Sequence, residues 1–245
     1  MAKNGYAADV WRCCGTCREM WRWIAPELSE EDAARVRRDH PFWQAIINLP
    51  HGKSGHTRLM LVAERGALAR VEELNAWRAD VHVENIDGWT ALIWASTRGH
   101  VEVVRALLTA GAGVDAASDA GWTALMCASE AGHVDVVRVL LAAGAGVDAV
   151  DNAGWTLLSS ASFNGYVEVV RALIATGAGV DAANNAGWTA LSYACFNGHV
   201  EVVRTLLAAG ANKHLIALNG DTAYSRAAYN PTKTAAIRAL LDLAP

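Results

Sequence analysis

A Gly-Trp-Thr triplet occurs four times in this chain, at Gly88-Trp89-Thr90, Gly121-Trp122-Thr123, Gly154-Trp155-Thr156 and Gly187-Trp188-Thr189, with the same interval between successive copies. A fixed period of this size, about 33 residues, describes a stack of near-identical supersecondary units, because one such unit cannot cover its own apolar faces. Most residues then answer to the stack, and function has to lie in what the stack displays.

Residues 85–117 give the unit. Asn85-Ile86-Asp87-Gly88 has turn chemistry, and Thr90 stands where its hydroxyl caps a helix start. Leu92 and Ala95 share one face of a short helix. Gly99 ends it, since glycine tolerates the left-handed conformation there. Val103, Val104, Leu107 and Leu108 form the apolar stripe of a second helix, with Glu102 and Arg105 toward water, and Gly111 stops it. Helices of two or three turns are marginal alone in water. The pattern recurs in residues 118–150, 151–183 and 184–216. Looser copies begin at Gly55-His56-Thr57 and Gly220-Asp221-Thr222, again in register.

These residues resemble the ankyrin repeat family. Its Gly-x-Thr-Pro-Leu-His-x-Ala-Ala, Gly-His, Val-Val-x-x-Leu-Leu and Gly-Ala segments stand here as GWTALIWAS, GH, VEVVRALL and GA. The family's proline is replaced at Ala91, Ala124, Leu157 and Ala190, and its histidine at Ile93, Met126, Ser159 and Ser192. The resemblance implies an all-α solenoid of helix-turn-helix units over residues 52–245, with repeats at about 52–84, 85–117, 118–150, 151–183, 184–216 and 217–245.

Residues 1–51 lack the register. They are rich in Trp and Arg, and Ser29 is set to cap a helix with acids in its first turn and bases in its last. A small helical cap is one reading. Residues 10–43 are also weakly similar to the C-terminal half of an F-box, without its Leu-Pro start, which would imply a substrate-recognition subunit of a cullin-type ubiquitin ligase.

The bulk numbers remove other classes. Hydrophobic residues make up 53% of the chain, enough for a core. A net charge of −4 gives no footprint for nucleic acid. No apolar run approaches the roughly 20 residues that cross a bilayer, and Met1 to Val10 lack a secretory layout. Five cysteines without framework spacing read as reduced thiols of a cytoplasmic, or alternatively nuclear, protein. Cys14-Gly15-Thr16-Cys17 has the spacing of half a zinc site but no second pair. His100, His133 and His199, with Tyr166 between, form a ladder. Packed helices lie about 8–10 Å apart, so ladder positions cannot share an ion, and local hydrogen bonds are expected. Asp115, Asp148 and Asp181 are likewise repeat positions. No nucleophile motif or phosphate loop is present. The expectation is a monomer that is not an enzyme and has no cofactor and no metal.

Positions that vary between repeats mark the recognition surface. The resemblance puts them along a concave groove that grips a protein or peptide. The candidates are the varying Trp94, Arg98, Glu130, Phe163, Asn164, Tyr193, Phe196 and Asn197, together with the invariant Trp89, Trp122, Trp155 and Trp188, which the family register puts on the same face and which read either as partner contacts or as structural filler. Stacked rings need centroids about 4.5–7 Å apart, so the four repeat tryptophans are expected to form a comb with gaps. Phe163 and Phe196 are expected on the solvent side, where replacing both with serine would abolish capture and leave unfolding nearly unchanged.

Overall fold

The computed structural model describes residues 48–50 and 53–243. The F-box-like segment, the cap apart from residues 48–50, and Cys13, Cys14 and Cys17 lie outside the described residues. Those residues hold six helix pairs. They are α1 Arg58–Glu64 with α2 Leu68–Ala76, α3 Ala91–Thr97 with α4 Val101–Thr109, and α5 Ala124–Ala131 with α6 Val134–Ala142. Then come α7 Leu157–Asn164 with α8 Val167–Ala175, α9 Ala190–Asn197 with α10 Val200–Ala208, and α11 Ala223–Ala227 with α12 Thr234–Leu243. The fold is all-α. Its β features among the described residues are isolated bridges at turn bases, such as Ala117 with Thr123.

Each pair begins in the same way. Thr57, Thr90, Thr123, Thr156, Thr189 and Thr222 stand in extended backbone, and each side chain accepts the N–H three residues on, a cap worth about 1 kcal/mol. Where the family's histidine is missing, Ser159 supplies a new partner: Thr156 Oγ1 donates to its hydroxyl at 2.9 Å.

The first helices of the pairs pack in one row and the second helices in another. Ala95, Ala128, Ala161 and Ala194 are fully buried in the first row, where small side chains let helices approach, and Leu107, Leu140, Leu173 and Leu206 are fully buried in the second. Leu108, read as part of the apolar stripe, is half-buried at its edge.

Neighbouring pairs are sewn together by polar side chains. Asp115 Oδ1 accepts Gly146 N, Asp148 Oδ1 accepts Gly179 N, and Asp181 Oδ1 accepts Asn212 N, all at 2.8–2.9 Å. The histidines do the same, so their bonds are not local. Nε2 of His100, His133 and His199 donates to Glu64 O, Thr97 O and Phe163 O of the preceding pair at 2.9, 3.1 and 2.9 Å. The outer surface carries one motif four times, an exposed i,i+3 ion pair: Glu102–Arg105, Asp135–Arg138, Glu168–Arg171 and Glu201–Arg204. Such pairs contribute little to stability.

The first pair departs at one backbone position. Gly111, Gly144, Gly177 and Gly210 follow the second helices with positive φ, and Arg78 takes their place with φ 57°. A side chain there costs about 1 kcal/mol. Arg78→Gly is therefore expected to raise the stability of the first pair by about that amount, read as slower amide exchange in α1 and α2. Unchanged exchange would show that the penalty is absorbed elsewhere.

Candidate binding groove

Between helix pairs the chain projects a turn, and its first residue fixes the tryptophan that follows. Asn85 Oδ1 accepts Asp87 N and Trp89 N at 3.0 and 2.8 Å. Ser118 Oγ accepts Trp122 N at 3.1 Å. Asp151 Oδ1 accepts Ala153 N and Trp155 N at 2.9 and 2.8 Å, and Asn184 Oδ1 accepts Ala186 N and Trp188 N, both at 3.0 Å. A short polar side chain bonding its own turn is what favours these residue types there. Adjacent turns also pair: Asp119 N donates to Asp87 O, Asn152 N to Ala120 O and Leu218 N to Ala186 O. The tryptophans thus stand in a row beside the first helices, each half-buried.

No two of the four repeat tryptophans form a ring contact among the described residues, as the stack spacing requires. The gaps between them are not all empty, however. A side chain from the following first helix wedges into the gap between Trp155 and Trp188, and another into the space before Trp89. Trp94 lies 5.2 Å from His56 and 4.7 Å from Trp89. Tyr193 stacks at 4.4 Å on Trp155 and lies 5.4 Å from Trp188. Tyr193 is only 7% exposed, and its hydroxyl accepts Asn184 Nδ2 at 2.8 Å. Burial pushes its phenol pKa up. It is a wedge in the ladder and offers little free surface.

The next wedge is Arg226, which stands one period after Tyr193 and went unread in the sequence. It is 5% exposed. Its guanidinium lies over the Trp188 ring, 4.9 Å from the Phe196 centroid and 5.4 Å from that of Tyr229. Its Nε is 3.2 Å from Asp221 Oδ2, although Nε and Nη2 find no partner in hydrogen-bonding geometry. Burial pushes its pKa down and Asp221 pushes it back. Tyr229 and Asp221, also missed, were legible in the same register, one period after Phe196 and Trp188.

The remaining candidates divide. Phe163 is 38% exposed, with its edge toward Trp155 and Tyr193 at 5.8 and 5.9 Å. Phe196 is half-buried beside Tyr229 at 5.4 Å. Asn164 and Asn197 reach back along the stack: their Nδ2 atoms donate to Glu130 O at 3.2 Å and Phe163 O at 2.8 Å, tying one pair to the previous one. Arg98 is exposed and paired with Glu64 at 2.7 Å. Glu130 is exposed, and burial, then the charge of Asp151, push its carboxyl up. Trp122 packs against the core without a ring partner among the described residues.

The described thiols are not poised to react. Cys127 and Cys195 are buried and free, and burial pushes them up to about 11 and about 12, which makes them poor nucleophiles. Among the described residues no group of three His, Cys, Asp or Glu could hold a metal ion. No described helix is long and apolar enough to cross a membrane.

A two-row helical stack whose turns and first helices present one variable face belongs to the class of solenoid interaction domains. Comparison with known families matches ankyrin repeats (3 copies) over residues 59–151 and 143–217. The chain belongs to the ankyrin-repeat family, and so carries a protein–protein interaction domain. No curated protein matches it.

Proposed function

We propose that this chain is a non-enzymatic, monomeric scaffold that grips a protein or peptide partner along the concave groove formed by the turns and first helices. One contrast supports the reading. The outer face repeats the same acid–arginine pair four times and so carries nothing that distinguishes one pair from the next. The inner columns vary: Thr97, Glu130, Phe163, Phe196 in one, where only the last step keeps its residue, and Trp94, Cys127, Ser160, Tyr193 in the other, where every step changes. Phe163 is the exposed aromatic at the centre of this variable face, the type of residue that anchors interfaces.

Phe163→Ser tests the reading by co-purification from the native host with the full chain. Losing a central anchor weakens capture by about 30-fold, the equivalent of about 2 kcal/mol. Arg138→Ser on the outer helix leaves capture unchanged. The edge contacts to Trp155 and Tyr193 mean that Phe163→Ser also destabilises the fold by about 1 kcal/mol, more than the near-zero effect expected from sequence. Equal capture by Phe163→Ser and wild type removes the groove assignment.

A further inference from the structure

The ladder follows a rule. The side chain five positions past a turn residue enters the gap between that turn residue and its counterpart one unit earlier. Trp94 stands so between His56 and Trp89, Tyr193 between Trp155 and Trp188, and Arg226 between Trp188 and Asp221. Two gaps receive small wedges. Cys127 belongs between Trp89 and Trp122 and is buried; Ser160 belongs between Trp122 and Trp155 and is half-buried. The gap filled by Tyr193 holds one planar group, at 4.4 and 5.4 Å from the flanking rings. The Ser160 gap has the same turn chemistry on both sides and a side chain too short to fill it. Among the described residues, Trp122 is accordingly the repeat tryptophan with neither ring nor cation on it.

The chain itself shows what can occupy such a gap. Arg226 lays its guanidinium on Trp188 with a carboxylate, Asp221, beside it. The surroundings of the Ser160 gap are acidic. Glu130 feels the charge of Asp151, and from Arg105 to Arg171 the one intervening Lys or Arg is Arg138, on an outer helix and paired with Asp135. Asp151 at the turn of Trp155, coupled to Glu130 and with the bases Arg98 and Arg138 already paired to Glu64 and Asp135, favours a planar cation in this gap, and guanidinium stacks and pairs where ammonium holds its water.

We propose that the gap between Trp122 and Trp155, floored by Ser160, receives an arginine side chain of the partner, stacked on indole and paired with Glu130 and Asp151. The proposal rests on the reading of this face as the binding groove. It makes the partner an arginine-bearing protein segment, and makes Ser160 the residue that keeps the place open.

The test uses the full chain with 15N-labelled tryptophan, the indole signals being assigned with Trp122→Phe and Trp155→Phe. The probes are the acetylated, amidated peptide Gly-Gly-Arg-Gly-Gly and its citrulline and lysine counterparts. The arginine peptide shifts the Trp122 and Trp155 indoles, and the neutral citrulline peptide binds about tenfold more weakly. Ser160→Tyr, which installs the side chain that fills the next gap at Tyr193, abolishes the response. Glu130→Gln with Asp151→Asn weakens it about tenfold while keeping the turn, since Asn184 makes the same turn bonds. Silence of both indoles, an equal response to citrulline, or a stronger one to lysine overturns the proposal. Loss of partner capture in Phe163→Ser with no effect of Ser160→Tyr would leave the groove standing and remove the arginine site alone.

Discussion

Gly165→Ala is expected to destabilise the stack by about 3 kcal/mol, against about 1 kcal/mol for Gly177→Ala. Both glycines sit in the left-handed region, at φ 79° and 92°, so both variants incur the same backbone penalty. Their surroundings differ. A Cβ on Gly177 meets nothing within 4 Å, whereas one on Gly165 would stand 2.6 Å from His199 Nδ1. The His199 ring must then move, and moving it breaks the bond from Nε2 to Phe163 O. That bond joins the fourth helix pair to the fifth, so the loss falls on an interface between units. In a stack held by nearest-neighbour interfaces, denaturant unfolding of Gly165→Ala should broaden or split while that of Gly177→Ala shifts as a whole. Equal shifts for the two variants would mean that packing of the ring on the glycine contributes nothing.

The same contact shows where sequence reasoning reaches and where it stops. The period located helices, caps and terminators, because each depends on residues within a few positions of one another: Thr90 on Ile93 N, Gly99 at the end of α3. Many contacts between units do not follow the period. His199 reaches back to the carbonyl of Phe163, Asn197 to that same carbonyl, and Tyr193 to the ring of Trp155. None of these pairs is a whole period apart. A column read one period at a time compares equivalent positions, few of which touch, Phe196 and Tyr229 at 5.4 Å being an exception. It is blind to the oblique contacts that join one unit to the next. This is why the period implies local bonds for the histidines and open surface for Tyr193, and why it leaves the occupants of the gaps between the tryptophans unspecified. Arg226, Tyr229 and Asp221 were missed for a different reason. They continue the columns into a last pair whose first helix has shrunk to Ala223–Ala227; the register is legible there from Gly220-Asp221-Thr222, but the candidate columns stop at Tyr193 and Phe196.

That last pair carries the second large expected effect, and it depends on how a buried cation is held. Asp221→Ala should destabilise α11 and α12 by about 2 kcal/mol, read as faster amide exchange in those helices with the remainder of the stack unaffected. The cost of removing one partner of a fully buried pair is larger, but the Asp221 side chain is 21% exposed and water can replace part of what is lost. The carboxylate is also the acceptor of Asn219 Nδ2 and Ser225 Oγ at 2.8 and 3.1 Å, so the substitution loosens the turn as well as the guanidinium. Arg226→Phe should behave otherwise. A ring at this position continues the ladder, and Phe serves better than Tyr, since the residue matching Asn184 is Ala217, which cannot bond a hydroxyl. The change also removes Nε and Nη2, two buried donors without hydrogen-bond partners. Replacing a buried ionic group by a well-packed apolar one is often neutral, so Arg226→Phe is expected within about 1 kcal/mol of wild type. The two changes should then be strongly non-additive. With no guanidinium left to strand, Asp221→Ala in the Arg226→Phe background should cost about 1 kcal/mol less than in wild type. Additive losses would show that Asp221 acts only through its own turn, and that Arg226 is held by the aromatic faces of Trp188, Phe196 and Tyr229 alone.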